Sequence, residues 1–237
     1  MKPKQVATGV FRVPLGGVNV FLVEADQGLV LIDAGLRRSP AAITEAIYSL
    51  GRSPDEVRAI VATHLHADHT GGLAEMKRRT GAEVWMHPLD AALVRVGVIG
   101  RPLQPGSGFA SRVVVGLSNR RPVSRGEPIA VEHEVGDGDE LPFAGLRAVH
   151  TPGHTAGHLS LLLSRHGGVL FVGDAAANMA RLGMGAFFED RAEARRSLAK
   201  LAALEFEVAC FAHGRPIRAR AAARFRARFA SAGATGA

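Results

Sequence analysis

Three histidines and an aspartate crowd into the stretch THLHADHTGG, directly after an apolar run. His64 and His66 are two residues apart, so both rings can project to one side of an extended segment, and Asp68 and His69 follow once the chain has turned. Imidazole and carboxylate groups are the ligands that divalent transition metals take from proteins. By composition alone, an HxHxDH match is expected on the order of one time in a thousand. One loop therefore offers four candidate metal ligands.

Three more residues of the same chemical types stand at the ends of predicted strands. His154 follows a strand in HTPGHTAGH, Asp174 ends the strand VLFVGD, and His213 follows the strand VACFA. Taken singly, each is equally typical of a turn, a helix cap or a loop. Loops at strand ends can converge on one point, so with the first motif they form a seven-residue set. The lone cysteine, Cys210, excludes a cysteine-cluster metal site.

The elements that must position these residues alternate between strands and helices. GVFRVPLGGV, VNVFLVEA and GLVLIDAG predict an antiparallel meander, and SPAAITEAIYSLG predicts a helix with a serine cap. VRAIVAT predicts a buried strand that leads into HLHADH. In the second half, IAVEHEV, LRAVH, HLSLLLS, VLFVGD and VACFA predict strands, DRAEARRSLAKLAALE predicts a helix, and a terminal helix is expected from Pro216. Two packed sheets with helices outside are the natural architecture for this order.

Length and composition bound the remaining possibilities. A chain of 237 residues predicts one domain over residues 1–237. Residues 98–128 form an irregular insertion around RVVVGL, itself a short strand or helix, and we expect a lid or binding loop there. No apolar run approaches the roughly 20 residues that cross a bilayer, and the first residues lack a signal-peptide pattern, so a cytoplasmic protein without a membrane segment is expected. The formal charge of +7 is attributed to solvated arginine-rich faces.

The motifs resemble, as a set and in order, those of the metallo-β-lactamase superfamily. THLHADHTGG, HTPGHTAGHLSLL, LFVGD and AHG carry the resemblance, and LVLIDAG resembles the strand that precedes them. The resemblance covers nearly the whole chain and is closest to the glyoxalase II-like branch of MBL-fold metallo-hydrolases. It implies an α/β fold, a four-layer αβ/βα sandwich of two mixed β-sheets flanked by helices, with the site along one edge.

The resemblance also implies how the seven residues divide between two divalent metal ions. His64, His66 and His154 would hold one ion, Asp68, His69 and His213 a second, and Asp174 would bridge them. The donor set suits zinc best, and manganese or iron are compatible with it. Asp33, in LIDAG, resembles the family's aspartate that orients this loop. His158 is placed near the site as a supporting or core residue.

This metal set predicts a hydrolase. A metal-bridging hydroxide would attack a carbonyl, because a bound divalent ion lowers the pKa of water from about 15.7 to near 7. We expect Asp68 to assist proton transfer to the leaving group and Asp33 to support catalysis through the loop that it orients. The expected substrate is a small molecule with an ester, thioester or lactone bond, and an anionic one is among the options. The oligomeric state is left open, with a dimer among the alternatives.

Other members of the superfamily supply the rival functions. The β-lactamases generally lack the bridging aspartate, so Asp174 argues against that substrate. Acyl-homoserine lactonases share the metal set, but their site tyrosine has no clear counterpart, since Tyr48 lies in the first predicted helix. Persulfide dioxygenases use the fold with one iron, here held by His64, His154 and Asp174. A ribonuclease Z-like phosphodiesterase is suggested by the basic tail RPIRARAAARFRARF, although nucleic acid is disfavoured because aromatic stacking partners are few.

Two features suggest how a substrate would be recognised. Arginines of the insertion are candidates to meet an anionic group. They are Arg101, Arg112, Arg120, Arg121 and Arg125. Phe187 and Phe188, in the segment after Asp174, are candidates to line an apolar pocket beside the metals. That segment, AAANMARLGMGAFFED, departs from the cysteine- and glycine-containing one expected in glyoxalase II, so the thiol carrier is not fixed by the resemblance.

Overall fold

The protein forms two β-sheets packed face to face, with helices on both outer surfaces. The computed structural model describes residues 2–105, 109–120, 125–185 and 187–230. Arg121, one of the candidate arginines, lies outside the described residues. No helix in the described part of the chain is both long and apolar enough to cross a lipid bilayer.

The strands and helices follow one another in an order close to the one predicted. The strands are β1 (Lys4–Ala7), β2 (Val10–Pro14), β3 (Asn19–Ala25), β4 (Gly28–Ile32), β5 (Val57–Val61), β6 (Glu83–Met86), β7 (Gln104–Pro105), β8 (His133–Glu134), β9 (Leu146–His150), β10 (Leu159–Leu163), β11 (Val169–Phe171), β12 (Ala176–Asn178), β13 (Leu182–Met184), β14 (Phe187–Phe188) and β15 (Val208–Cys210). The α-helices are α1 (Pro40–Ser49), α2 (Ala67–Thr70), α3 (Leu73–Thr80), α4 (Pro88–Val94), α5 (Phe109–Asn119), α6 (Arg191–Ala202) and α7 (Ala221–Phe229), and a 3₁₀ turn spans Pro54–Glu56.

Both large sheets mix antiparallel and parallel pairs. The first has the order β1-β2-β3-β4-β5-β6-β8, with an antiparallel meander through β4 and parallel pairs from β4 onward. The second has the order β15-β11-β10-β9, in which only β11 and β15 run parallel. Two further antiparallel pairs are present, the short hairpin of β12 with β13 and the pairing of β14 with the distant strand β7.

Three apolar clusters account for the four layers. The central one joins the facing surfaces of the two sheets, where Phe21 meets Phe171 edge-on with ring centroids 5.4 Å apart. A second cluster packs α1, α3 and α4 against the outside of the first sheet through residues such as Ile47 and Met76. The third packs α6 and α7 on the outside of the second sheet through residues such as Leu198. This is the expected αβ/βα sandwich, and burial of these apolar faces drives its formation.

The structure corrects several predicted elements. The terminal helix begins at Ala221 rather than Pro216, because Ile217 pairs with Ala209 as an extended bridge and Arg220 takes a left-handed φ of 53°. RVVVGL is part of a helix, α5, and only His133 and Glu134 of IAVEHEV are paired as a strand. Ser39 stands before α1 but makes no capping hydrogen bond. β1, β7 and the three short strands β12, β13 and β14 were not predicted.

Candidate metal centre

The seven predicted ligands come together at one edge of the sandwich, where strands of both sheets end. β5 delivers the chain to His64, and His66 precedes the first turn of α2, which carries Asp68 and His69. His154 lies between β9 and β10, Asp174 follows β11, and His213 follows β15. Loops from two sheets therefore supply one site, as expected from the placement of these residues at strand ends.

Three imidazole nitrogens form a small triangle. His64 Nε2 lies 3.1 Å from His66 Nδ1, His66 Nδ1 lies 2.9 Å from His154 Nε2, and His154 Nε2 lies 3.1 Å from His64 Nε2. Three ligands at Zn–N distances of about 2.0–2.1 Å in a tetrahedral arrangement would be about 3.3 Å apart. The triangle therefore has the size that one bound divalent ion requires.

A second group of three ligand atoms lies beside the first. Asp68 Oδ2 lies 3.2 Å from His213 Nε2 and 3.7 Å from His69 Nε2. Asp174 joins the two groups, since its Oδ2 lies 3.4 Å from His154 Nε2 and 3.3 Å from His213 Nε2, and its Oδ1 lies 3.6 Å from His69 Nε2. One carboxylate thus reaches both groups.

Hydrogen bonds fix the orientation of the rings. His154 Nδ1 donates to the carbonyl of Phe187 at 2.7 Å, and His213 Nδ1 donates to the carbonyl of Gly17 at 2.8 Å. His69 Nδ1 donates to Asp33 Oδ2 at 2.8 Å. Because these partners only accept, the Nε2 atoms turn toward the centre, as metal ligands do when their other nitrogen is held.

Asp33 organises the first histidine through Thr63. The backbone N–H of Thr63 donates to Asp33 Oδ1 at 2.8 Å, and the Thr63 hydroxyl donates to Asp33 Oδ2 at 2.9 Å. The same hydroxyl lies 3.1 Å from His64 Nδ1, so it accepts from that ring. Asp33 adopts a left-handed φ of 61°, which is uncommon outside glycine and typical of functional sites. It acts on the centre through His64, Thr63 and His69.

The residues fit divalent metal ions on two grounds. His69 Nε2 and Asp174 Oδ1 are buried without a hydrogen-bond partner among the described residues. Buried polar atoms normally find partners, so an unpaired nitrogen and an unpaired carboxylate oxygen that face each other suit a cation between them. Imidazole and carboxylate together also form the donor set of zinc sites.

The pKa shifts separate a group of neutral histidines from a group in which protonated histidines pair with carboxylates. Burial holds the pKa of His64 well below its ordinary value, and burial together with His154 lowers the pKa of His66 to about 3. Hydrogen bonds to Asp174 and Asp68 raise the pKa of His213 to about 11. Burial opposes protonation of His69, but Asp33 and Asp174 outweigh it and raise its pKa to about 9. The three-histidine group is therefore ready to bind a cation, and the carboxylates attract positive charge to the other group.

His158 and Asp90 support the ligand loops without being ligands themselves. His158 Nε2 accepts from the backbone N–H of Asp174 at 2.9 Å, and its Nδ1 donates to Thr151 at 2.8 Å. Asp90 is fully buried and accepts from Leu65 N at 3.0 Å, from the Thr155 hydroxyl at 2.7 Å and from Gly157 N at 3.0 Å. One carboxylate thus ties the HLHADH loop to the loop of His154.

Sequence reasoning missed Asp90. In PLDAALV it stands in the first turn of α4, where an acidic residue is favoured by the helix dipole alone. The one available signal is that α4 follows the short strand AEVWMH, which pairs beside β5 and so lies next to the motif loop.

A cavity of about 380 Å³ opens over the centre. Five of the candidate ligands line it, together with a largely apolar wall formed by Ala176, Ala177, Met179 and Phe187. Met179 is 70% exposed and Phe187 is 37% exposed. Phe188 is buried and does not line the cavity, so the prediction for this pair is wrong for Phe188. An apolar substituent fits this wall, with the reacting bond over the ligands.

The described part of the insertion contacts the segments that hold His154 in place. β7 pairs with β14, which contains Phe187, the hydrogen-bond partner of His154. Arg101 forms an ion pair of 3.3 Å with Glu189, and Glu189 accepts from Ala156 N at 2.8 Å. Of the candidate arginines that the structure describes, none lines the cavity over the centre. That residues 98–128 act as a lid stays a prediction.

Comparison with known proteins agrees with this geometry. The model of the metallo-beta-lactamase superfamily matches residues 13–213. The chain belongs to the metallo-β-lactamase superfamily. It is 28% identical over 231 residues to the probable metallo-hydrolase YflN of Bacillus subtilis, covering 90% of this chain and 86% of that protein.

Two further proteins are similar to this superfamily member, one in sequence and one in structure. It is 30% identical over 196 residues to a hydroxyacylglutathione hydrolase of Xylella fastidiosa, covering 81% of this chain but only 57% of that protein. It is also similar to the structure of BJP-1, a subclass B3 metallo-β-lactamase of Bradyrhizobium japonicum, with a TM-score of 0.70 and 26% identity over 90% of this chain and 78% of that one. The proteins similar to this chain therefore include metallo-hydrolases and a glyoxalase II-like enzyme. They do not determine which substrate this chain takes.

Proposed function

We propose that the protein is a binuclear metal-dependent hydrolase that cleaves an ester, thioester or lactone bond in a small molecule. The observation that carries the proposal is the shared carboxylate. Asp174 lies within 3.6 Å of His69 and closer still to His154 and His213, so one residue serves both groups of ligand atoms. A site for one metal ion would not require the second group of three ligand atoms, those of Asp68, His69 and His213.

Each ligand group has a defined place in the proposal. His64, His66 and His154 hold one ion, Asp68, His69 and His213 hold the other, and Asp174 is shared. Two divalent ions, most suitably zinc, would polarise the scissile carbonyl and supply an activated water at neutral pH. The neutral imidazoles of the first group leave that ion its full charge, which favours its action on a carbonyl oxygen.

The chain's own residues supply proton transfer and orientation. Asp68 is half-buried at the cavity and faces His213 at 3.2 Å. Although burial opposes ionisation, hydrogen bonding to His213 and the charge of His69 lower the pKa of Asp68 to about 2, so it is ionised at neutral pH. We assign proton transfer to Asp68 because its carboxylate lies at the cavity over the ligands. Asp33 and His158 do not line the cavity. They keep the ligands in place through hydrogen bonds to His69 and to the backbone of Asp174.

The apolar wall and the relatives favour a thioester or ester with an apolar acyl group. Ala176, Ala177, Met179 and Phe187 offer no charge to a substituent beside the ligands. The hydroxyacylglutathione hydrolase of Xylella fastidiosa supports a thioester, but this chain spans little more than half of that protein. The carrier thiol or alcohol is therefore left to experiment.

Hydrolysis tests this proposal. Protein loaded with zinc or manganese is assayed against acyl thioesters, p-nitrophenyl esters, lactones and a phosphodiester. We expect turnover of a thioester, ester or lactone, and loss of that turnover in His66→Ala with the fold intact by circular dichroism. Turnover of the phosphodiester alone would support the nuclease-like alternative. Oxygen uptake with glutathione persulfide by an iron-loaded protein would support the dioxygenase.

A further inference from the structure

A second and larger cavity, of about 540 Å³, lies behind the motif loop. Its lining comes from the loop after β4, from α2 and α3, and from residues on both sides of α5. Ala67 forms part of its wall, and the neighbours of Ala67, His66 and Asp68, line the cavity over the candidate metal centre. Residues 66–68 are thus the wall between the two cavities.

Two arginines of this cavity are unpaired within the part of the chain that the structure describes. Arg37 and Arg125 are exposed, and neither forms an ion pair or side-chain hydrogen bond with any described residue. The acidic residues of the lining are already engaged. Arg78 bonds Glu127 at 2.7 Å and Glu75 at 2.9 Å, and Arg79 also bonds Glu75 at 2.8 Å. Of the three arginines that line the cavity, Arg78 is paired with both lining carboxylates, so the charges of Arg37 and Arg125 are left uncompensated by the described lining.

Backbone contacts hold both arginines at fixed points. Arg125 forms a bridge with Val98, and the N–H of Gly126 donates to Gly97 at 2.8 Å. The loop of Arg37 is joined to the start of α3, since Gly72 N donates to the carbonyl of Gly35 at 3.0 Å. A Cβ at Gly71 would lie 2.8 Å from the backbone nitrogen of Arg37, so this close approach requires glycine. The cavity is therefore a built feature rather than a gap between loose segments.

Apolar side chains form another part of the lining. Leu36, Ile99 and Ala74 face the same space, so a ligand there meets apolar side chains as well as two guanidinium groups. Arginine presents a planar fork of N–H donors that matches the oxygens of carboxylates and phosphates. A volume of about 540 Å³ is within the range of small-molecule sites.

We propose that this second cavity binds a small organic oxyanion, a carboxylate or phosphate with an apolar body, through Arg37 and Arg125. Such a group has two sources. It is either the remote end of a substrate whose acyl bond lies over the metal centre, reaching across residues 66–68, or a separate molecule that binds beside the motif loop.

Binding is measured first, independently of any hydrolysis. The zinc-loaded protein is titrated with 3-phenylpropionate, with its neutral analogue 3-phenylpropanamide and with inorganic phosphate, while the arginine Nε–Hε signals are followed by NMR. We expect saturable binding of 3-phenylpropionate below about 10 mM, with the signals of Arg37 and Arg125 shifting, and much weaker binding of the amide. Arg37→Gln or Arg125→Gln should each weaken binding about 10-fold, the effect of one lost charge-assisted hydrogen bond.

Arg38→Gln is the matched control, because Arg38 is an exposed neighbour of Arg37 outside the lining. It should bind the carboxylate as the unmodified protein does. Equal weakening by Arg38→Gln, equal binding of the amide, or absence of any shift at Arg37 and Arg125 with either anion would overturn the proposal. A carboxylate bound at the metals instead would be insensitive to Arg37→Gln, which would also overturn it.

A kinetic arm then identifies the source, and it alone rests on the proposed function. Two p-nitrophenyl esters are compared, one whose acyl chain ends in a carboxylate and one whose chain ends in the corresponding amide. If the oxyanion belongs to the substrate, Arg125→Gln raises KM for the carboxylate ester only. If it belongs to a separate molecule, added 3-phenylpropionate changes kcat for the amide ester, and Arg125→Gln removes that change. Both outcomes support the site.

Discussion

Replacing Asp90 by asparagine preserves the size of a buried side chain and removes its charge. Asp90 accepts three hydrogen bonds, two from backbone N–H groups of the ligand loops and one from Thr155. An asparagine has one carboxamide oxygen, so either Leu65 N or Gly157 N would face an NH₂ group. Losing one hydrogen bond to a charged group and leaving one buried donor unpaired costs about 2–5 kcal/mol together.

Because both loops carry ligands, part of that cost should appear as weaker metal binding. We expect Asp90→Asn to lower the urea unfolding free energy of the metal-free protein by about 2–5 kcal/mol. We also expect it to weaken zinc binding about 10–100-fold, the effect of losing a residue that orients ligands. Zinc affinity is measured by competition with a chromophoric chelator.

Thr80→Ala provides the control for this prediction. The Thr80 hydroxyl is buried, donates to the carbonyl of Met76 at 2.8 Å and accepts from the N–H of Ala82 at 3.1 Å, and neither partner is a candidate ligand. Its loss should lower stability by about 1–3 kcal/mol and leave zinc affinity unchanged. If Asp90→Asn loses stability but binds zinc as tightly as the unmodified protein, Asp90 does not position the ligands and the reasoning fails.

Three further predictions address proton transfer, substrate and pH. Asp68→Asn should lower kcat about 10²–10⁴-fold in ester hydrolysis, and a smaller loss would exclude proton transfer by Asp68. Met179 is 70% exposed, so Met179→Asp should not change thermal stability. It should raise the ratio of KM for a hexanoyl ester to KM for an acetyl ester about 10-fold, and an unchanged ratio would show that Met179 does not contact the acyl group. Burial and the stacked ring of His150, 4.0 Å away, lower the pKa of His87 to about 4. The unfolded chain therefore takes up a proton at this residue before the folded protein does, and stability falls as pH falls from 6.5 to about 4. His87→Asn should therefore show a shallower loss of unfolding free energy over that range in urea titrations, and parallel curves would contradict it.

The elements that carry the site could be predicted because their sequence signals are local. GLVLIDAG and VRAIVAT are largely apolar, rich in Val, Ile and Leu, and end at polar residues, and the structure has β4 and β5 there. The seven candidate ligands were expected to meet because each stands at a strand end, and the structure brings them within one centre. Their role as ligands stays a prediction.

The segment after Asp174 could not be predicted for a physical reason. AAANMARLGMGAFFED has no strand or helix period. Two of its short strands, β12 and β13, pair with each other, and the third, β14, exists only through pairing with a distant strand. β14 pairs with β7 from the insertion, and Asn178 forms a bridge with Gly214 beside His213. Such pairings depend on the tertiary structure rather than on local propensity. The same holds for Asp90, whose donors lie in two loops far from it in sequence.

The metal content of the chain tests the central claim most directly. The protein is purified without chelators or an affinity metal, and its metals are counted per chain by elemental mass spectrometry, with Asp174→Asn in parallel. We expect about two zinc or manganese ions per chain, and fewer in the variant, because both ligand groups share that carboxylate. About one iron per chain, unchanged by loss of the second ligand group in His69→Ala, would contradict a binuclear centre.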